Sequence, residues 1–109
     1  MFKNINSIIS VEMISNKNAS ITSLISTFEN CENLMNFKIE GFLTDNLISM
    51  SKLFYKSHIN EINITGFHTD NVEDMSYMFA FTDFDNLDFN KNEIKINTDN
   101  VKNMSYMFY

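Results

Sequence analysis

The stretch Thr69-Asp-Asn-Val-Glu-Asp-Met-Ser-Tyr-Met-Phe79 returns as Thr98-Asp-Asn-Val-Lys-Asn-Met-Ser-Tyr-Met-Phe108, identical at nine of eleven positions. Recurrence of this kind marks a repeat architecture, in which each unit buries its apolar face against the next. An earlier copy, Thr44-Asp-Asn-Leu-Ile-Ser-Met-Ser-Lys-Leu-Phe54, keeps the frame, and a worn one runs Ser20-Ile-Thr-Ser-Leu-Ile-Ser-Thr-Phe28. Phe28, Phe54, Phe79 and Phe108 thus mark successive units, spaced by 26, 25 and 29 residues.

Between these blocks a second element recurs as Ile8-x-x-Val11-x-Met13, Leu34-x-x-Phe37-x-Ile39, Ile59-x-x-Ile62-x-Ile64 and Phe84-x-x-Leu87-x-Phe89. This is the L-x-x-L-x-L spacing of a leucine-rich-repeat strand, and alternation such as Phe37-Lys38-Ile39 sends successive side chains to core and solvent. In the other block Val72, Met75 and Phe79 fall at i, i+3 and i+7, the spacing of a short helix, with Met78 beside them. Asn46, Asn71 and Asn100 are placed to cap such helices, and Asp74 suits the first turn. Neither a nine-residue helix nor a lone strand is stable by itself, so stacking must supply the core. The expected fold is an α/β solenoid: a right-handed, leucine-rich-repeat-like stack of about four short helix-strand units with a parallel strand ladder. Its units divide as 1–17 (a partial N-terminal strand), 18–43, 44–68, 69–97 and an incomplete 98–109, with a four-residue insertion at Asn90-Lys-Asn-Glu93.

The blocks Asn71-Val-Glu-Asp-Met-Ser-Tyr-Met-Phe79 and Asn100-Val-Lys-Asn-Met-Ser-Tyr-Met-Phe108 resemble the N-V-x-D-M-S-x-M-F signature of the BspA-type leucine-rich-repeat surface proteins of mycoplasmas and Bacteroides. With the strand blocks, the resemblance covers roughly residues 8 to 109. It implies a non-enzymatic binding or adhesion module, displayed on a cell surface and engaging host or neighbouring-cell proteins. The chain departs from that pattern in lacking a visible secretion signal, in its eroded first unit, and in ending at Tyr109 without the strand expected after the last helix.

Composition narrows the classes further. A chain of 109 residues with 44% hydrophobic and 20% charged residues is sized for one modest core. No apolar run approaches the roughly 18 residues of a membrane-spanning helix. The net charge is -6 and every cation is Lys, so the bidentate guanidinium forks used on phosphates are missing and nucleic acid is an unsuitable partner. One cysteine, Cys31, excludes an intrachain disulfide, and the resemblance implies a thiol packed as a small hydrophobe at its place three residues after Phe28. With two glycines and no proline there is no phosphate-binding loop, and no cofactor is expected. The N-terminal residues lack a signal-peptide pattern, which places the chain as written in the cytoplasm, or on the cell surface if it is a fragment of a typical relative.

The candidate partner-binding face is the solvent side of the strand ladder, where one column holds Ser10, Asn36, Glu61 and Asn86 and another Glu12, Lys38, Asn63 and Asp88. Exposed ladder faces are where repeat proteins recognise partners. The alternative is a structural fragment that self-assembles end to end through Met104, Met107, Phe108 and Tyr109, which nothing follows to cover. Asp45, Asp70 and Asp99 should also align; a carboxylate column suits calcium, but the T-D-N position points to turn and capping roles. His58 and His68 lie in separate turns and should not converge. A hydrolase reading of Asp83, Asp85 and Asp88 is set aside because paired carboxylates need a cleft that perturbs their acidity.

Overall fold

A computed structural model describes residues 1–64, 66–83 and 96–109. Three short strands, β1 (Ser10–Ile14), β2 (Asn36–Glu40) and β3 (Glu61–Asn63), form a parallel sheet in the order β1-β2-β3. The register sets Val11 against Phe37 and Phe37 against Ile62, so the repeat frame aligns like with like. Phe37, Ile39 and Ile62 are buried while Asn36, Glu61 and Asn63 are exposed, the alternation a half-buried strand demands. The fourth strand block at 84–89, with Asn86 and Asp88, and the insertion at 90–93 lie outside the described residues.

The expected α/β solenoid of helix-strand units does not form. No helix occurs among the described residues, and the fold is β-rich, its blocks built from turns. The reason lies in where alternate backbone donors go. Leu53, Tyr55 and Ser57 donate back three residues, to the carbonyls of Met50, Lys52 and Phe54, closing consecutive turns. The N–H groups between them, on Met50, Lys52, Phe54 and Lys56, donate sideways to Asp74, Ser76, Met78 and Ala80 at 2.9 to 3.0 Å. The same alternation joins Met75, Tyr77, Phe79 and Phe81 to Asn103, Ser105, Met107 and Tyr109. A helix would consume those lateral donors internally, and a helix of nine residues is marginal in water. The ladder pairs alternate donors with a neighbouring repeat and closes the others within turns, which satisfies the backbone and buries the apolar edge in one step.

The turns carry a geometric signature. Ser26, Lys52, Tyr77 and Tyr106 have φ between 53° and 57°, and Asn30, Lys56 and Phe81 between 54° and 57°, each at the third position of a turn. Positive φ there is what a type II turn requires, and it would interrupt any helix.

Phe28, Phe54 and Phe79 point inward, and each marker phenylalanine stacks on the next, the column ending at the exposed Phe108. Ring centroids are 5.8 Å apart for Phe28–Phe54, 5.6 Å for Phe54–Phe79 and 5.6 Å for Phe79–Phe108. The column starts earlier than the sequence frame suggests, because Phe2 stacks on Phe28 at 5.5 Å and its N–H donates to the Thr27 carbonyl. Phe37 meets Phe28 and Phe54 edge-on at 5.1 and 5.4 Å, joining the sheet to the turn ladder. Leu24, Leu34, Leu47, Val72 and Met75 complete this core.

One polar column runs through the core. The Cys31 thiol donates to the Phe2 carbonyl at 2.9 Å, the Ser57 hydroxyl to Phe28 at 2.8 Å and the Thr82 hydroxyl to Phe54 at 2.7 Å. All three occupy one repeat position, so a short donor is a requirement of the frame. Burial pushes the Cys31 thiol pKa up, keeping it a neutral donor. Ser57→Ala is expected to cost about 1–2 kcal/mol, since the Phe28 carbonyl loses a buried donor, whereas Cys31→Ser keeps one. Urea midpoints for the two variants check this, and a Ser57→Ala midpoint equal to wild type would refute it.

Candidate functional site

The T-D-N motif supplies stitching between repeats. The Asn71 side chain donates to the Asp45 carbonyl and Asn100 to the Asp70 carbonyl, each at 2.6 Å. Thr44 and Thr69 of the motif are buried, and their hydroxyl oxygens accept N–H groups from the next repeat, from His68 and Asn97 respectively, both at 2.7 Å, whereas Thr98 is exposed. The capping role expected for Asn71 and Asn100 is thus replaced by a bond to the preceding unit, because there is no helix start to cap. Asp74 likewise accepts from the Ser76 N–H at 2.9 Å as an Asx turn, and Asn103 does the same for Ser105 at 3.0 Å. Asp45, Asp70 and Asp99 are exposed, and Asp70 accepts from the Asn97 amide at 2.8 Å. No group of three or more His, Cys, Asp or Glu able to hold a metal occurs among the described residues.

The strand-face columns fall where their spacing places them. Ser10 pairs with Asn36 and Asn36 with Glu61, while Glu12 pairs with Lys38 and Lys38 with Asn63. These six side chains line one shallow depression of about 210 Å³. Lys38 Nζ lies 3.0 Å from Glu40 Oε2, an acid the columns did not include, and that hydrogen bond holds the Lys38 pKa up. Asn86 and Asp88 lie outside the described residues. The surface is open and polar, with alternating charge: Glu12, Lys38 and Glu40, then Glu61.

At the other proposed site, Met104, Phe108 and Tyr109 are exposed, but Met107 is buried and its carbonyl accepts the Phe79 N–H. Met107 therefore belongs to the core. His58 and His68 do not converge: His58 Nδ1 lies 3.2 Å from Asp83 Oδ2, and His68 is exposed. His58 also borders a groove of about 470 Å³ with Asn6, Ile9, Glu32 and Met35, which no single sequence block announces because its walls come from three repeats. The Ser57 hydroxyl beside it is turned into the core and bonded to Phe28.

Elsewhere Glu29 is buried against Lys3, with Oε2 3.1 Å from Nζ. Burial pushes its carboxyl pKa up, but hydrogen bonds from Ser26 and Lys3 and the charges of Lys3 and Lys52 outweigh it, leaving the carboxyl below its ordinary range.

Over residues 1–109 the chain matches the family described as Mycoplasma protein of unknown function, DUF285. The chain belongs to that family. No curated protein matches it, and no solved structure does. Within this DUF285 chain no helix among the described residues is long and apolar enough to cross a membrane.

Sequence reasoning missed the surface of the turn ladder. Lys52, Tyr55, Lys56, Tyr77, Phe81, Tyr106 and Tyr109 form a continuous outer strip of aromatic and cationic side chains. Within a unit they fall at i, i+3 and i+4 (Lys52, Tyr55 and Lys56; Tyr77 and Phe81; Tyr106 and Tyr109), a spacing that shares one face in a helix as well. Their alignment in the 26- and 25-residue frame, for example Lys52 with Tyr77 and Lys56 with Phe81, was the signal that could have found them.

Proposed function

We propose that the chain is a non-enzymatic protein-protein interaction or adhesion module that binds a protein partner through its exposed strand face. The observation that carries this reading is the in-register alignment of Ser10, Asn36 and Glu61 beside Glu12, Lys38 and Asn63 on one open depression. Parallel strands lie about 4.8 Å apart, so the columns present evenly spaced donors, acceptors and charges on a rigid frame. Open polar faces of this kind suit a macromolecular partner, whereas a small molecule needs a concave, largely apolar pocket. The resemblance of residues 71–79 and 100–108 to BspA-type surface proteins supports the same reading and suggests cell-surface display.

Reversing two charges tests it. Lys38→Glu with Glu61→Lys alters the columns at a half-buried side chain whose ion pair with Glu40 is solvent-accessible and at an exposed one, where the change in stability is expected to stay within about 1 kcal/mol. Biosensor retention of proteins solubilised from neighbouring-cell surfaces is expected to fall about tenfold for the double variant, with an unchanged circular-dichroism melt. Equal retention of variant and wild type would remove the strand face from consideration.

A further inference from the structure

Sharing no residue with the strand face, the turn ladder presents its own surface. Tyr77 and Tyr106 stack at 4.9 Å, Tyr55 meets Tyr77 at 6.2 Å and Phe81 at 5.7 Å edge-on, and Phe81 meets Tyr109 at 5.1 Å. Lys52 Nζ lies 5.8 Å from the ring centroids of both Tyr55 and Tyr77, and Lys56 Nζ lies 5.5 Å from Tyr55 and 5.8 Å from Phe81. Phe81, Tyr106 and Tyr109 are 52%, 56% and 67% exposed. Among the described residues neither lysine has a carboxylate within 4.0 Å, although the Lys52 charge acts on Glu29 from farther away.

The backbone does not account for these residue types. Lys52, Lys56, Tyr77, Phe81 and Tyr106 all stand at positive φ, a conformation costly for most side chains and cheapest for Gly or Asn. The first copy indeed has Asn30 where later copies have Lys56 and Phe81. Large side chains are thus placed at strained corners, with much of their apolar surface left in water.

The geometry points to a second docking surface on this strip, for a short polypeptide segment that sets one or two carboxylates beside apolar side chains. Charge and ring orientation select that occupant. Tyr77 and Tyr106 stack on each other and the two lysines lie over Tyr55, Tyr77 and Phe81, so these rings offer chiefly edges, hydroxyls and ammonium groups. Planar bases and sugar rings need free aromatic faces. A dense polyanion or an anionic bilayer would extend beyond the two lysines, and the chain as a whole carries a net charge of -6. A short acidic-apolar segment stays within the strip, because screening at physiological salt confines charge effects to about 8 Å. Exposed tyrosines are also what protein interfaces favour at their anchoring centres.

The test uses fluorescence anisotropy with two labelled eight-residue peptides, one alternating Asp and Leu, the other Lys and Leu. The Asp-Leu peptide is expected to bind and the Lys-Leu peptide to bind at least tenfold more weakly. Lys52→Glu with Lys56→Glu should weaken the Asp-Leu peptide about tenfold or more. Phe81→Asn with Tyr106→Asn should weaken it similarly while keeping or raising the melting temperature, since Asn accepts positive φ readily. The strand-face variant Lys38→Glu with Glu61→Lys should bind this peptide as wild type does, so failure here and failure of the strand-face reading are separable. Three results would overturn the proposal: no Asp-Leu binding up to about 1 mM, unchanged affinity in the strip variants, or preferential binding of oligothymidylate or phosphatidylserine vesicles.

Discussion

Phe54→Ala is expected to cost about 3–5 kcal/mol, a large share of the roughly 5–15 kcal/mol by which a domain of this size is stable. Phe54 is 1% exposed, lies midway along the phenylalanine column and touches three rings: Phe28, Phe79 and, edge-on, Phe37. Its removal opens a cavity that rigid neighbours on both sides cannot fill, because their own backbones are tied into the lateral ladder. The loss also falls on two repeat interfaces at once, since its ring stacks on Phe28 on one side and on Phe79 on the other. In a stack where each repeat touches only its neighbours, breaking the middle uncouples the ends. Phe54→Leu should recover more than half of the loss, because volume returns without the stacking. Urea unfolding provides the measurement: the midpoint should fall steeply at constant slope, and a shift below about 1 kcal/mol would show that the column is not what holds the repeats together.

The column itself was legible in the sequence because a buried phenylalanine at fixed repeat spacing has no common alternative explanation. The strand register was legible for a similar reason: period-two alternation around Phe37 and Ile62 admits one pairing that buries both. The helices were not legible as absent. Buried positions such as Met75, Met78 and Phe79 fall at i, i+3 and i+4, a spacing that a helix and a ribbon of consecutive four-residue turns share. What separates the two is the sign of φ at Lys52, Tyr77 and Tyr106, and those residue types argue against positive φ on propensity alone. Tertiary hydrogen bonding overrode local preference there. Reading helices there misassigned Asn71 and Asn100, whose amides serve the preceding repeat and not their own. Cys31, by contrast, was read as a buried thiol from the resemblance, and it is fully buried. Its hydrogen bond to Phe2 was beyond reach because nothing in residues 1–7 advertises a turn block of the repeat.

The two glycines offer a sharper measurement, because they share one backbone conformation and differ in surroundings. Gly41 has φ +75° and Gly66 φ +73°, so any side chain pays the same conformational penalty at either, about 1–2 kcal/mol. At Gly66 a Cβ would meet nothing within 4 Å, whereas at Gly41 it would lie 2.0 Å from the Ser15 carbonyl oxygen. That oxygen is backbone, and the Ser15 N–H is bonded to the Glu40 carbonyl at 3.0 Å, so the contact is relieved only by parting the ends of β1 and β2. Overlap of this kind adds about 1–3 kcal/mol, so Gly41→Ala should cost about 2–5 kcal/mol in all. In a domain of this length each kcal/mol lowers the melting temperature by about 4–8 °C, which makes the difference between the two variants easy to read. Equal losses would mean that the Ser15 strand end yields freely. The expected inequality reaches the strand face as well, because parting β1 from β2 displaces Glu12 from Lys38 and Ser10 from Asn36. Gly41→Ala should therefore weaken partner retention at temperatures where the chain is still folded, while Gly66→Ala leaves it intact.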